Sequence, residues 1–358
     1  MFGQRHYVPV LRWKRAEKKA LRELSPSDKG GITPLLEMTE RALSKKKQTK
    51  AGGLKPLLEE FAEQLEECWG AAPIFIDLSL LGTQFQSTEA EVALRVLSQE
   101  SRARKMLIIP VIGLGQFAGN VLEAAGEAAG HGIGACVRLG LGDLRWPSFA
   151  DDLLSLRNDL RLSIGQMDVI VDLRFLDGRE PNLVRIVDCI PDVSSWRTFT
   201  LVSGAFTKDL SQFEKNQQHL LRRSDWLLWR EQVGAMGSSV RRPAFGDYTI
   251  QHGVYSEPPG RANFSASIRY TIAEDWIIMR GEGVFNEDGP GFDQWPANAL
   301  LLSERSEFCG RDYSYGDGYI WDMGQQTERP GSAETWLRAG INHHMAFAAR
   351  QISSLRGI

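Results

Sequence analysis

The chain has 358 residues, 42% hydrophobic and 24% charged, with a net charge of -3. This is ordinary globular composition, with no bias toward nucleic acid or an anionic membrane and no run of the roughly 18 apolar residues that a membrane span needs. The cysteines Cys68, Cys136, Cys189 and Cys309 are scattered without metal-ligand spacing, and the N-terminus carries no apolar signal segment. A cytoplasmic protein with reduced thiols is expected.

Taken in order, Tyr7–Trp13 reads as a first strand ending at Lys14, and the stretch after it has helical composition. Ile32–Met38 is a second strand carrying Glu37, although Pro34 argues against a central position. A basic run, Ser44–Lys50, precedes the amphipathic helix Leu54–Trp69. Strands follow at Pro73–Leu78 with Asp77, Met106–Ile112, and Gly134–Leu139 with Arg138, separated by helical stretches. Met167–Asp177 is the clearest strand: an apolar run, as in strands buried on both faces, leads into Asp172 and Arg174. Phe199–Gly204 is the seventh strand, and Lys208–Val233 has a long helical pattern. The eighth is Phe245–Ile250, carrying Asp247, with His252 just beyond. Trp226–Arg230 is the competing eighth strand, but no turn residues bound it.

Eight alternations of strand and helix predict an α/β fold, a (β/α)8 TIM-barrel-like unit over residues 1–252. An open doubly wound sheet is the second choice; it normally has fewer strands and a glycine-rich first turn. Residues 253–358 predict a C-terminal extension packed on the barrel. It comprises a β-hairpin from Ser267–Thr271 and Trp276–Gly281, then helices at Ala297–Ser306 and Ser332–Ser353.

Three passages, YVPVLRWKRAEKKAL with ITPLLEM, FGDYTIQH, and TWLRAGINHHMAFAARQI, resemble the bacteriophage beta protein family and its bacterial relatives. The resemblance spans nearly the whole chain. It implies a barrel-like protein of phage or phage-defence (antiviral) association, and it supplies no catalytic assignment.

The chemistry is read from the residues alone. A barrel works at the carboxyl ends of its strands, where Lys14, Glu37, Asp77, Arg138, Asp172, Arg174 and Asp247 are expected to converge. Arg138, Arg174 and Lys14 would neutralise an anionic ligand, with His252 beside them. Glu37, Asp77, Asp172 and Asp247 would orient water or a metal. Glu37 and Asp77, completed by Asp172 or Asp247, suit oxygen ligation of a divalent cation such as Mg²⁺. The lysine run could form a flap over the anion. The bland reading of the same charges is a salt-bridge layer that closes the barrel.

The expected function is binding, and in an enzyme metal-assisted hydrolysis, of a phosphorylated or nucleotide-like small molecule. The alternative is a non-catalytic scaffold in a phage-conflict system, meeting a protein partner through Trp295, Tyr313, Tyr315 and Tyr319 of the extension. Nucleic acid is disfavoured because basic and aromatic residues are not interleaved. For His343 and His344 mid-helix, packing with a satisfied polar tip is expected.

Overall fold

The computed structural model describes residues 2–81, 87–116, 119–130, 133–178, 181–237, 240–256, 263–326 and 329–355. Its strands are β1 (Tyr7–Arg12), β2 (Leu35–Glu37), β3 (Pro73–Asp77), β4 (Leu107–Ile112), β5 (Ala135–Gly140), β6 (Met167–Phe175), β7 (Thr198–Gly204), β8 (Gln217–Arg222), β9 (Ala244–Asp247), β10 (Ile268–Thr271) and β11 (Asp275–Arg280). Eight of them close a parallel barrel in the order β1–β2–β3–β4–β5–β6–β7–β9. Helices lie between the strands, so the chain is a (β/α)8 TIM-barrel-like protein.

Side-chain alternation explains why the runs are apolar throughout. One parity points inward: Val8, Val10, Leu35, Phe75, Ile109, Val111, Cys136, Ile170, Val202 and Tyr248 form the barrel's interior core. The other parity, including Tyr7, Leu11, Ile74, Ile76, Val169 and Phe245, packs outward under the helices. Gly246 faces inward where a Cβ would meet Val202 Cγ2 and Val8 O at 2.7 Å. Glycine is required there by space.

The eighth barrel strand is β9, which overlaps the expected Phe245–Ile250 over Phe245–Asp247 and ends at Asp247. Trp226 and Trp229 belong to the helix Ser224–Ala235, and both rings pack against Phe245. The expectation of one helix over Lys208–Val233 fails. Gln217–Arg222 is strand β8 and pairs antiparallel with β11, from Gln217↔Arg280 to Arg222↔Asp275. The reason is tertiary: the expected hairpin, β10 with β11, leaves one edge of β11 open, and strand pairing outweighs a weak local preference. Pro34 lies just before β2, where it interrupts no strand.

The basic run forms the helix Lys45–Ala51, with none of its residues buried and Lys45 paired to Glu89. The extension adds the helices Gln294–Ser303, Tyr315–Gly324 and Ala333–Ser353, the second of which has no counterpart in the sequence pattern. The last packs on the helix Arg15–Arg22, where Asn342 Nδ2 donates to Ala20 O at 3.0 Å. No described helix is long and apolar enough to cross a membrane.

Candidate functional site: a charged layer at the barrel mouth

At the carboxyl ends of the strands the inward parity changes from apolar to charged. Val10 is followed by Arg12, Leu35 by Glu37, Phe75 by Asp77, Cys136 by Arg138, and Ile170 by Asp172. On β1, β2 and β3 the charges are in register, Arg12↔Glu37 and Glu37↔Asp77. Tyr248, just past β9, completes the layer beside Gly204, where a Cβ would come within 3.0 Å of the tyrosine ring.

Arg138 sits at the centre, only 7% exposed. It donates through Nη1 to Asp77 Oδ2 at 2.5 Å and through Nε and Nη2 to Asp172 Oδ2 at 2.9 and 2.5 Å. Nη2 also lies 2.9 Å from Glu37 Oε1 and donates to the Tyr248 hydroxyl at 2.9 Å. That hydroxyl in turn donates to Asp172 Oδ2 at 2.6 Å. Arg12 Nε faces Glu37 Oε2 at 3.2 Å, and its Nη2 donates to the carbonyls of His252 and Gly253 at 2.9 and 3.2 Å.

Arg174 covers the layer. Its backbone is left-handed, with φ 58°, at a register shift between Asp172 and Phe175. Its N–H donates to Asp172 Oδ1 at 2.8 Å, so the carboxylate itself holds the irregular turn within the strand. The guanidinium folds back to Glu37 Oε1 at 3.0 Å and Asp172 Oδ2 at 3.2 Å, with its side chain 38% exposed. A left-handed non-glycine residue stores backbone strain that the surrounding contacts must hold in place.

Burial alone would push Arg138 down, but Asp172, Tyr248, Glu37 and Asp77 hold it well above the ordinary arginine range. Burial would likewise raise Asp172; Arg138 and Arg174 outweigh it and keep that carboxyl below its usual range. Tyr248 is raised well above an ordinary phenol, by burial first and then by Asp172, so it acts as a hydroxyl donor.

The carboxylates fit a divalent cation poorly. Asp77 Oδ1 accepts from Ser79 N at 2.7 Å, Asp172 Oδ1 accepts from Arg174 N, and Glu37 Oε2 faces Arg12. Each remaining oxygen faces the Arg138 guanidinium. A cation among them would sit against that guanidinium, and like charges in a dry site repel strongly.

The model of the Beta protein family matches residues 7–350. The chain belongs to the Beta protein family. No curated protein sequence matches it. Among solved structures, the crystal structure of SacUVDE is similar at 9% identity and a TM-score of 0.31, covering 69% of this chain and 93% of that one. A likeness at that level carries nothing about chemistry.

In this family member the sequence-predicted residues divide. Glu37, Asp77, Arg138, Asp172 and Arg174 come together. Lys14 lies at the rim, its Nζ 4.8 Å from the Tyr255 ring centroid. His252 is also at the rim, its ring tilted 37° against that of Phe175 with centroids 4.4 Å apart, and its Nδ1 accepts from Val254 N. Asp247 does not join them. It shares the outward parity of Phe245 and is bonded to Tyr7 and His344 behind the barrel wall.

Arg12 and Tyr248 are site residues that sequence reasoning missed. Counting by two from Val8 and Val10 reaches Arg12, and counting by two from Gly246 reaches Tyr248; that parity was the available signal. In the extension Trp295 is fully buried against Trp336, so it offers no partner surface. His343 and His344 are both buried and hydrogen-bonded, His343 to Asp317 and Thr271 O. Cys309 and Asp317 lie near His343 at metal-ligand range, but both of its ring nitrogens are already engaged.

Proposed function

We propose that this protein binds the anionic group of a phosphorylated small molecule at the barrel mouth, in a phage or phage-defence setting. The observation that carries the reading is Arg174: a strained backbone turns its half-exposed guanidinium over a buried layer. Buried carboxylates below hold it in place, and a charge-assisted bond to an incoming oxyanion is the contact such a group makes best. Binding is favoured over hydrolysis, because Glu37, Asp77 and Asp172 are each committed to arginine and none is left to activate water.

The test is a thermal-shift titration with inorganic phosphate, pyrophosphate and AMP. Wild type should be stabilised in a concentration-dependent way, and Arg174→Ala should lose that shift while folding normally. A wild type that responds to none of the three removes the reading.

A second reading, a non-catalytic scaffold, is favoured by the near-complete internal pairing of the same layer. It predicts no ligand shift at all.

A further inference from the structure

The rim around Arg174 is aromatic as well as cationic. Phe175 follows Arg174 directly, and its ring lies 4.4 Å from that of His252. The loop carrying His252 is clamped from two sides. Arg12 donates to the carbonyls of His252 and Gly253, and a Cβ on Gly253 would fall 2.3 Å from Arg174 O. Only glycine lets that loop lie on the strained turn, so the Phe175–His252 pair is fixed before any ligand arrives.

Three residues after His252, Tyr255 is held by cations, with Lys14 Nζ at 4.8 Å and Arg12 Cζ at 5.6 Å from its ring. Its hydroxyl is buried and has no hydrogen-bond partner among the described residues. Buried hydroxyls are normally partnered, and an orphan at a site mouth calls for an acceptor.

We infer that the mouth is built for an aryl or nucleoside phosphate. The phosphate lies on Arg174 and accepts from the Tyr255 hydroxyl, while the attached ring stacks on the Phe175–His252 pair. This rests on the mouth being an anion site and adds the part of the ligand that the arginines cannot select. A bare phosphate uses the first half of the site, and a planar ring uses the second.

Calorimetric titration with inorganic phosphate and phenyl phosphate, with AMP as a third probe, separates the two halves. Wild type should bind phenyl phosphate about tenfold more tightly than phosphate, the scale of one aromatic stack. Phe175→Leu should bring the two affinities within about twofold of each other, leaving phosphate unchanged. His252→Ala should act in the same direction and guards against a local defect in one variant. Tyr255→Phe keeps the ring against Lys14 and Arg12, and should weaken both probes by about tenfold through loss of one donor to an anion.

Equal affinity of wild type for phosphate and phenyl phosphate would overturn the inference and leave the anion site standing. No binding of any probe would overturn both. An unchanged Tyr255→Phe would overturn the role given to the hydroxyl.

Discussion

Two buried clusters of ionisable groups lie on either side of the barrel wall, and they are assembled differently. Inside, at the mouth, Arg12, Arg138 and Arg174 meet Glu37, Asp77 and Asp172, and the charges balance through direct contacts. Outside, between β1, β9 and the helix Ala333–Ser353, Asp247 accepts from Tyr7 at 2.5 Å and faces His344 Nε2 at 2.8 Å. The other nitrogen of His344 lies 2.8 Å from Thr271 Oγ1. Beside them Arg223 and Asp225 are equally buried, but Arg223 Nε and Nη2, Asp225 Oδ2, Trp226 Nε1 and Thr249 Oγ1 have no partner among the described residues.

In both clusters burial pushes the acids up, and their direct partners decide whether that push is overcome. In the mouth, arginine contacts outweigh burial and Asp172 is held low. In the outer cluster, burial and then the neighbouring Asp247 push Asp225 up to about 7, against the opposing pull of Arg223. The group facing Asp247 from the last helix, His344, is itself lowered by burial. Asp172 is thus held on the ionised side, and Asp225 is brought into the neutral range.

The sharpest test of that contrast is Arg138→Ala. It removes the guanidinium shared by Glu37, Asp77 and Asp172, of which Glu37 keeps Arg12 and Arg174 and Asp172 keeps Arg174, and should cost about 3–5 kcal/mol of unfolding free energy without ligand, read by urea denaturation. A loss below about 1 kcal/mol would mean that water reaches the layer and the pairing is loose.

The next largest effect is expected at Asp225. Its folded-state value lies above the ordinary carboxylate range, so between that range and about pH 7 the folded chain holds a proton that the unfolded chain releases. This contribution to stability is therefore lost as pH rises through the window, and it levels off above. Asp225→Asn removes the dependence and should gain on the order of 2 kcal/mol at pH 8, with little change at pH 4. A flat difference across pH would place the proton elsewhere in the outer cluster.

The smallest effect should be that of Arg174→Ala on the unliganded protein. Half-exposed and bonded to carboxylates that Arg138 also holds, it should cost about 1 kcal/mol or less in chemical denaturation. A much larger cost would move Arg174 from the ligand side of the comparison to the structural side.

Much of the architecture was legible along the chain. Short runs such as LIIPVI and VIV within MDVIVDL, apolar at consecutive positions, read as strands covered on both faces. Their alternation with amphipathic stretches leaves few arrangements besides a parallel barrel. Glu37, Asp77, Arg138, Asp172 and Arg174 were legible for the same reason, since a charge after such a run must lie where the strand leaves the core. Gln217–Arg222 was not, because a short polar strand is decided by the edge it pairs with. Tyr255 and Phe175 were not, because a rim is made where a strand end meets loops from distant parts of the chain.

By itself, then, the sequence determined which residues stand at the ends of buried strands, because hydrophobic periodicity is local and each strand carries its own. Tertiary structure alone decided which of them meet. Asp247 and Tyr248 are neighbours in sequence, but the pleat sends one outward to His344 and the other inward to Arg138. Closing the barrel then makes Arg138 the common partner of acids from β2, β3 and β6. A single-residue difference in parity selects the cluster, and no local pattern encodes the partner waiting on either side.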